Sequence, residues 1–120
     1  MTEFFQILAD IVRRLAHPET TIHCNIELEH NRLSIHSDAV SYSHVFIEVS
    51  NNDLWISKFC SDDVWRTVDF NGSLSPSTLH QTLHDLILIV FDEVYDHPQT
   101  TNPPSSESIY SLLPQYVPIE

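Results

Sequence analysis

The side chains best equipped for chemistry in this chain are carboxylates: Asp38, Asp62, Asp63, Asp92, Glu93 and Asp96 stand in segments that a folded domain would bring to one end. Clustered carboxylates with carbonyls and water make oxygen-only sites, which select calcium or magnesium. Calcium is favoured, because ligands drawn from separate loops give flexible, many-coordinate contacts whereas magnesium demands tight octahedral geometry. The chain has the acids to spare, with 17 Asp plus Glu against 5 Lys plus Arg and a formal net charge of −12 in 120 residues. Most of these carboxylates therefore lack a basic side chain to neutralise them, and the fold either tolerates self-repulsion or recruits cations.

Histidines offer competing metal chemistry. His80 and His84 are four apart on one helical face, a spacing that can hold zinc, but Gln81 stands where a zinc protease carries its general-base Glu. A transition metal held by His80, His84 and a further His or Asp85 is the alternative to plain surface histidines. His23 and His36 are expected across a hairpin on its polar face, solvated rather than ligating. Neither Cys24 nor Cys60 sits in an activating context, the serines form no nucleophile elbow, and the single glycine, Gly72, excludes a phosphate-cradling loop. The chain reads as no enzyme. Aligning Gly72 with the sixth position of an EF-hand loop puts Thr67 first and Thr78 twelfth, where carboxylates are required, so no EF-hand is present.

The elements that must position these groups are legible from periodicity. Phe4, Phe5, Ile7, Leu8, Ile11, Val12 and Leu15 recur at helical spacing, and the helix should stop before His17 and Pro18. From Thr21 the period becomes two, through Ile22, Cys24, Ile26 and Leu28, then Leu33 and Ile35 after a His30–Asn31 turn. Further runs at 45–49, 54–60 and 64–70, separated by short polar turns, complete about five strands. Ser75 as cap and Pro76 at the first helical position open a second helix, whose stripe of Leu79, Leu83, Leu86, Ile87, Val90, Phe91 and Val94 runs to about residue 96. The expectation is an α+β domain over residues 1–97, two-layered, with an antiparallel meander and two helices packed on one face. Residues 98–120, rich in proline, are expected to be irregular, partly docked or disordered.

This order gathers the acids. Strand direction alternates along a meander, so the connection over residues 37–43 with Asp38 and the turn with Asp62 and Asp63 lie at one end of the sheet. The second helix runs back and finishes there with Asp92, Glu93 and Asp96. Two carboxylates about 5 Å apart repel by about 3 kcal/mol at an effective dielectric of 20. Acids in the last turn of a helix also face the negative end of its dipole. A bound cation would relieve both, whereas a solubilising rim is the plain alternative. Glu27, Glu29, Glu48, Asp53 and Asp69 leave open a second cluster elsewhere.

Negative charge sets the chain against nucleic acid and anionic membrane surfaces. The amino terminus has no basic leader and the longest apolar run, 86–91, is far short of a membrane span. A cytoplasmic monomer with reduced thiols is expected.

In its size, its acidity, its two tryptophans, the absence of an EF-hand and the acid at Asp38 after the second strand, the chain resembles the small acidic calcium-binding proteins of heterocyst-forming cyanobacteria. The resemblance covers overall character along the whole chain rather than a short motif. It implies a compact α/β domain that binds about two Ca2+ ions through carboxylates, Asp38 foremost, sequesters the ion in the cytoplasm and restrains heterocyst differentiation, a signalling role. The competing reading is an acidic protein-interaction module, of the secretion-chaperone or nucleic-acid-mimic kind, with no specific metal. For that reading Phe46 and the apolar residues of the tail are the candidate contacts.

Overall fold

The computed structural model describes residues 2–16, 22–38, 40–50, 53–60, 65–75, 77–94 and 104–116. Helix α1 (Thr2–Leu15) leads into strands β1 (Ile22–Glu27), β2 (Arg32–Ser37), β3 (Val40–Ser50), β4 (Asp53–Cys60) and β5 (Trp65–Ser73), followed by α2 (Leu79–Val94) and α3 (Ser106–Tyr116). The strands form one sheet in the order β1-β2-β3-β4-β5, every neighbouring pair antiparallel. This is the expected α+β meander.

Strand alternation decides what faces the helices. Ile22, Cys24 and Ile26 on β1, Leu33 and Ile35 on β2, Val45, Ile47 and Val49 on β3, and Leu54 and Ile56 on β4 point to one side and join the core. Phe5, Leu8, Ile11 and Val12 of α1 and Leu83, Leu86, Ile87, Val90 and Val94 of α2 close over them. Burying each such side chain contributes about 1.5–3 kcal/mol relative to leaving it in water. Helix α1 packs on β1 and β2, whereas α2 lies across β2, β3 and β5.

Two connections differ from expectation. The turn between β1 and β2 spans Leu28 to Asn31, closed by His30 N–H donating to Glu27 O at 3.2 Å, with Asn31 at φ 50°. Asparagine enters this left-handed region more readily than most residues. Strand β3 begins at Val40, so the β2–β3 connection shrinks to Asp38 and Ala39, with a register shift at His36/Ser37. The shift bends the strand and sets Asp38 close to the strand ends. At the head of α2, Thr78 carries the first helical acceptor: Thr82 N–H donates to Thr78 O at 2.8 Å, while Thr78 N–H donates to Ser75 O at 3.0 Å. Ser75 therefore starts the preceding turn, and the cap lies three residues further on.

The larger correction concerns the tail. Part of it docks, as one of the expectations had it, but as a helix instead of irregular chain: Ser106–Tyr116 forms α3, in the cleft between α1 and α2 with Ile109 and Leu113 fully buried. Ser105 caps it, its Oγ accepting from Ser108 N–H at 3.1 Å. This is the side-chain-to-backbone bond that satisfies a helix's orphan amide. Pro114 is tolerated because it falls in the last turn, where its missing N–H ends only one helical bond. Arg14 of α1 donates to Tyr116 Oη at 2.7 Å and to Gln115 Oε1 at 3.2 Å, and Tyr116 in turn bonds Asp10.

All three helices thus occupy one side of the sheet. Among the described residues, no helix packs on the opposite side.

Candidate functional site

Along the open face, side chains line up in rows set by the strand register. One row runs His23, His36, His44, Phe59, Trp65, because each is the cross-strand partner of the next. A second contains Asn25, Ser34, Phe46, Ser57 and Thr67, and a third contains Glu27, Arg32, Glu48 and Trp55.

The aromatic half of this face is centred on Phe46. Trp65 approaches it with ring centroids 5.0 Å apart, and Phe59 lies 5.1 Å from Trp65. The Arg32 guanidinium sits over the Phe46 ring at 4.5 Å and within 5.9 Å of Trp65, a cation–π arrangement that also covers Phe46 from water. Glu27 holds that guanidinium through Nε at 2.6 Å and Nη2 at 3.3 Å, with Glu48 at 3.9 Å on its other side. Hydrogen bonding to Arg32 draws the Glu27 carboxyl below its ordinary range. Two of the acids suggested as a second cluster, Glu27 and Glu48, are here the clamp of an arginine. Phe46 is consequently buried, and the aromatic residues that meet solvent are Trp65 (53% exposed) and Trp55 (47%).

The histidine half is a stack. His23 and His36 have ring centroids 4.9 Å apart, and His36 and His44 4.5 Å apart, both nearly parallel. His23 and His36 do lie across the first hairpin, but His36 is half-buried rather than solvated. Its Nδ1 is fully enclosed and is the one buried side-chain nitrogen or oxygen among the described residues with no hydrogen-bond partner. Desolvation, then the neighbouring His44 and His23, push the His36 pKa down against the opposing pull of Asp38. Asp38 Oδ1 accepts from His23 Nε2 at 2.9 Å.

Of the six carboxylates expected to share a site, Asp62, Asp63 and Asp96 lie outside the described residues. Asp92 and Glu93 end α2 beside the inner side of β4, where Glu93 Oε2 meets Lys58 Nζ at 3.3 Å. The helix therefore finishes at the sheet end that strand order requires. Asp38, by contrast, engages His23, whose strand position places it on the outer face. Among the described residues, the group of His, Cys, Asp or Glu side chains close enough to share an ion is His23, His36 and Asp38.

Of the His80/His84 pair, His84 is structural. His84 is buried between α2 and α3, stacked on Tyr110 at 4.6 Å, with Nδ1 2.9 Å from Asp85 Oδ1 and Nε2 2.9 Å from Ser106 Oγ. A carboxylate only accepts, so Nδ1 carries the proton and Nε2 accepts from the serine. Both nitrogens are occupied, Nδ1 within α2 and Nε2 in joining α2 to α3. Cys24 is a free thiol whose pKa is pushed up by burial, with Arg13 opposing, which makes it a poor nucleophile.

Trp55, Trp65 and His44 were the outward residues that the sequence reading passed over. The signal was present in the strand parity: once Leu54, Ile56, Val45 and Ile47 are assigned inward, their neighbours Trp55, His44 and Phe46 must point out.

Comparison with protein-family models, with curated proteins and with solved structures returns no match. No helix among the described residues is long and apolar enough to cross a membrane.

Proposed function

We propose that this chain is an acidic interaction module, without catalysis of its own, that docks a cationic protein on the open face of its sheet. The observation that carries this reading is the pair Trp55 and Trp65, about half-exposed on a sheet face to which no helix among the described residues is packed. Tryptophan is the residue most enriched among those that dominate binding energy, and a rigid indole on a strand loses little entropy when covered. Phe46, Phe59 and the clamped Arg32 form a preorganised floor behind it, which lowers the ordering cost of association.

Charge selects the partner. An open sheet bearing aromatic residues is also the platform on which RNA-binding domains stack bases, but a net charge of −12 sets phosphate against it. A second copy of the chain is repelled for the same reason, which supports a monomer until the partner arrives. A basic protein is attracted at long range and then meets the indoles at close range. The free Cys24 thiol supports a reducing compartment, the cytoplasm.

The calcium reading keeps less support. Glu93 is paired with the Lys58 ammonium and Asp38 accepts a hydrogen bond from His23, so two of its carboxylates already have partners. The docking reading is tested by a photo-crosslinking amino acid placed at Ser57, between Phe46 and Thr67 on the open face, beside the same residue at Tyr110 on α3. Adduct to a basic protein from position 57 alone supports docking on the sheet. Equal adducts from both positions, or none from 57, contradict it.

A further inference from the structure

The geometry points to a binding site for a divalent transition metal, of the zinc class, formed by His23, His36 and Asp38 at the edge of the open face. The three residues each offer one ligand atom, and these atoms all lie within 4.8 Å of one another. In a tetrahedral zinc site with bonds of about 2.0–2.1 Å, neighbouring ligand atoms are about 3.3 Å apart. The His23 Nε2 to Asp38 Oδ1 separation of 2.9 Å is already inside that distance. The remaining separations, up to 4.8 Å, would have to close by side-chain rotation out of the stack.

Backbone geometry builds the site. His23 and His36 are direct cross-strand partners on β1 and β2, so the pleat holds their rings side by side without any loop to order. Asp38, just past the register shift at His36/Ser37, meets them through His23 Nε2 at 2.9 Å. Two residues of one strand end and one of its neighbour thereby supply a preformed set of three ligands.

The second observation is independent of this proximity. His36 Nδ1 is enclosed and has no hydrogen-bond partner, an arrangement that buried polar atoms rarely keep in a finished structure. An imidazole in that state is held for something other than packing. Its other neighbours are the flat faces of His23 and His44, which offer no donor or acceptor in the stacking direction.

The donor set chooses the ion. Two imidazoles and one carboxylate suit zinc, nickel or copper, whereas calcium takes six to eight oxygens and would find one carboxylate here. On binding, the ion replaces the hydrogen that His23 Nε2 shares with Asp38, and the proton of the neutral ring moves to Nδ1. Three protein ligands leave the fourth position to water or to a further donor. This site is separate from the docking reading and stands or falls without it.

The test uses the full-length protein, freed of metal with a chelator and titrated with Zn2+ by calorimetry and with Co2+ by visible absorption. Saturable one-to-one binding, with cobalt bands of a four-coordinate site, is expected for the wild type. His23 and Asp38 are exposed (46% and 65%), so His23→Gln and Asp38→Asn should leave the circular dichroism unchanged. Each is expected to weaken Zn2+ binding at least tenfold, while His80→Gln leaves it intact. Absence of saturable binding, or affinity unchanged in both folded variants, overturns the assignment.

Discussion

Lys58 Nζ lies 3.3 Å from Glu93 Oε2, joining the inner side of β4 to the last turn of α2. The lysine is largely buried at this contact while the glutamate keeps partial access to water. An ammonium on the core side of a sheet is costly without a carboxylate beside it. This pairing gives a structural reason for an acid at the negative end of a helix. Glu93→Gln is therefore expected to lower stability by about 1–3 kcal/mol in urea denaturation. Lys58→Met, which replaces the charge with apolar volume, should cost less. A larger loss for Lys58→Met would show that the lysine stabilises through contacts other than this pair.

The α3 tail tests how much the docked helix contributes. Leu113 is fully buried against the core, so Leu113→Ala should cost about 2–4 kcal/mol by chemical denaturation. Ser105→Ala removes the cap and should cost about 1 kcal/mol. If neither moves the midpoint, α3 contributes nothing to the cooperative unit.

The fold was mostly legible because its signals are local. Alternation in 22–28 and 45–49 and the stripe of α2 each specify one face, and a sequential meander follows from short polar turns. The tail was not legible for an equally physical reason. Prolines at 98, 103, 104, 114 and 118 dominate its composition, and the Ser105 cap is a single hydroxyl among many serines. Asp38 stands out in the sequence, but its neighbours His23 and His36 do not. Its placement depended on where β3 begins, and strand ends are set by tertiary pairing and a register shift that periodicity does not encode. Gathering Asp92 and Glu93 at the correct end of the sheet followed from topology alone. Their assignment to a face needed Lys58, a charged residue at an inward position that alternation would have marked apolar.

His36 gives the apoprotein a pH dependence. It faces His23 on β1, His44 on β3 and Asp38 beyond β2, and burial with the two imidazoles lowers its pKa in the folded state. The unfolded chain takes up the proton first, near its ordinary value of about 6.5. Stability is thus full above that pH and falls as pH drops toward the lowered folded value. With chelator present, wild type should lose more stability between about pH 7.5 and 5.5 than His36→Phe, which keeps the stack but cannot titrate. Equal losses would remove His36 from the account.

Arg32 is the cover of the aromatic floor. Its guanidinium lies over Phe46 while Glu27 and Glu48 hold it from either side. Arg32→Ala should cost about 1–2 kcal/mol through lost packing as much as lost charge, and should raise binding of a hydrophobic dye by exposing Phe46. Unchanged dye binding would mean that Trp65 alone shields the ring.

Docking of a cationic protein on Trp55 and Trp65 can be read by affinity capture from cell extract with identification of the bound chain. Wild type should recover one stoichiometric basic protein, in the presence of a calcium chelator, with retention falling as salt rises, and Trp55→Ser/Trp65→Ser should lose it while remaining folded. Recovery of the same protein by the double variant, dependence of capture on calcium, or the absence of any stoichiometric basic partner would contradict the account.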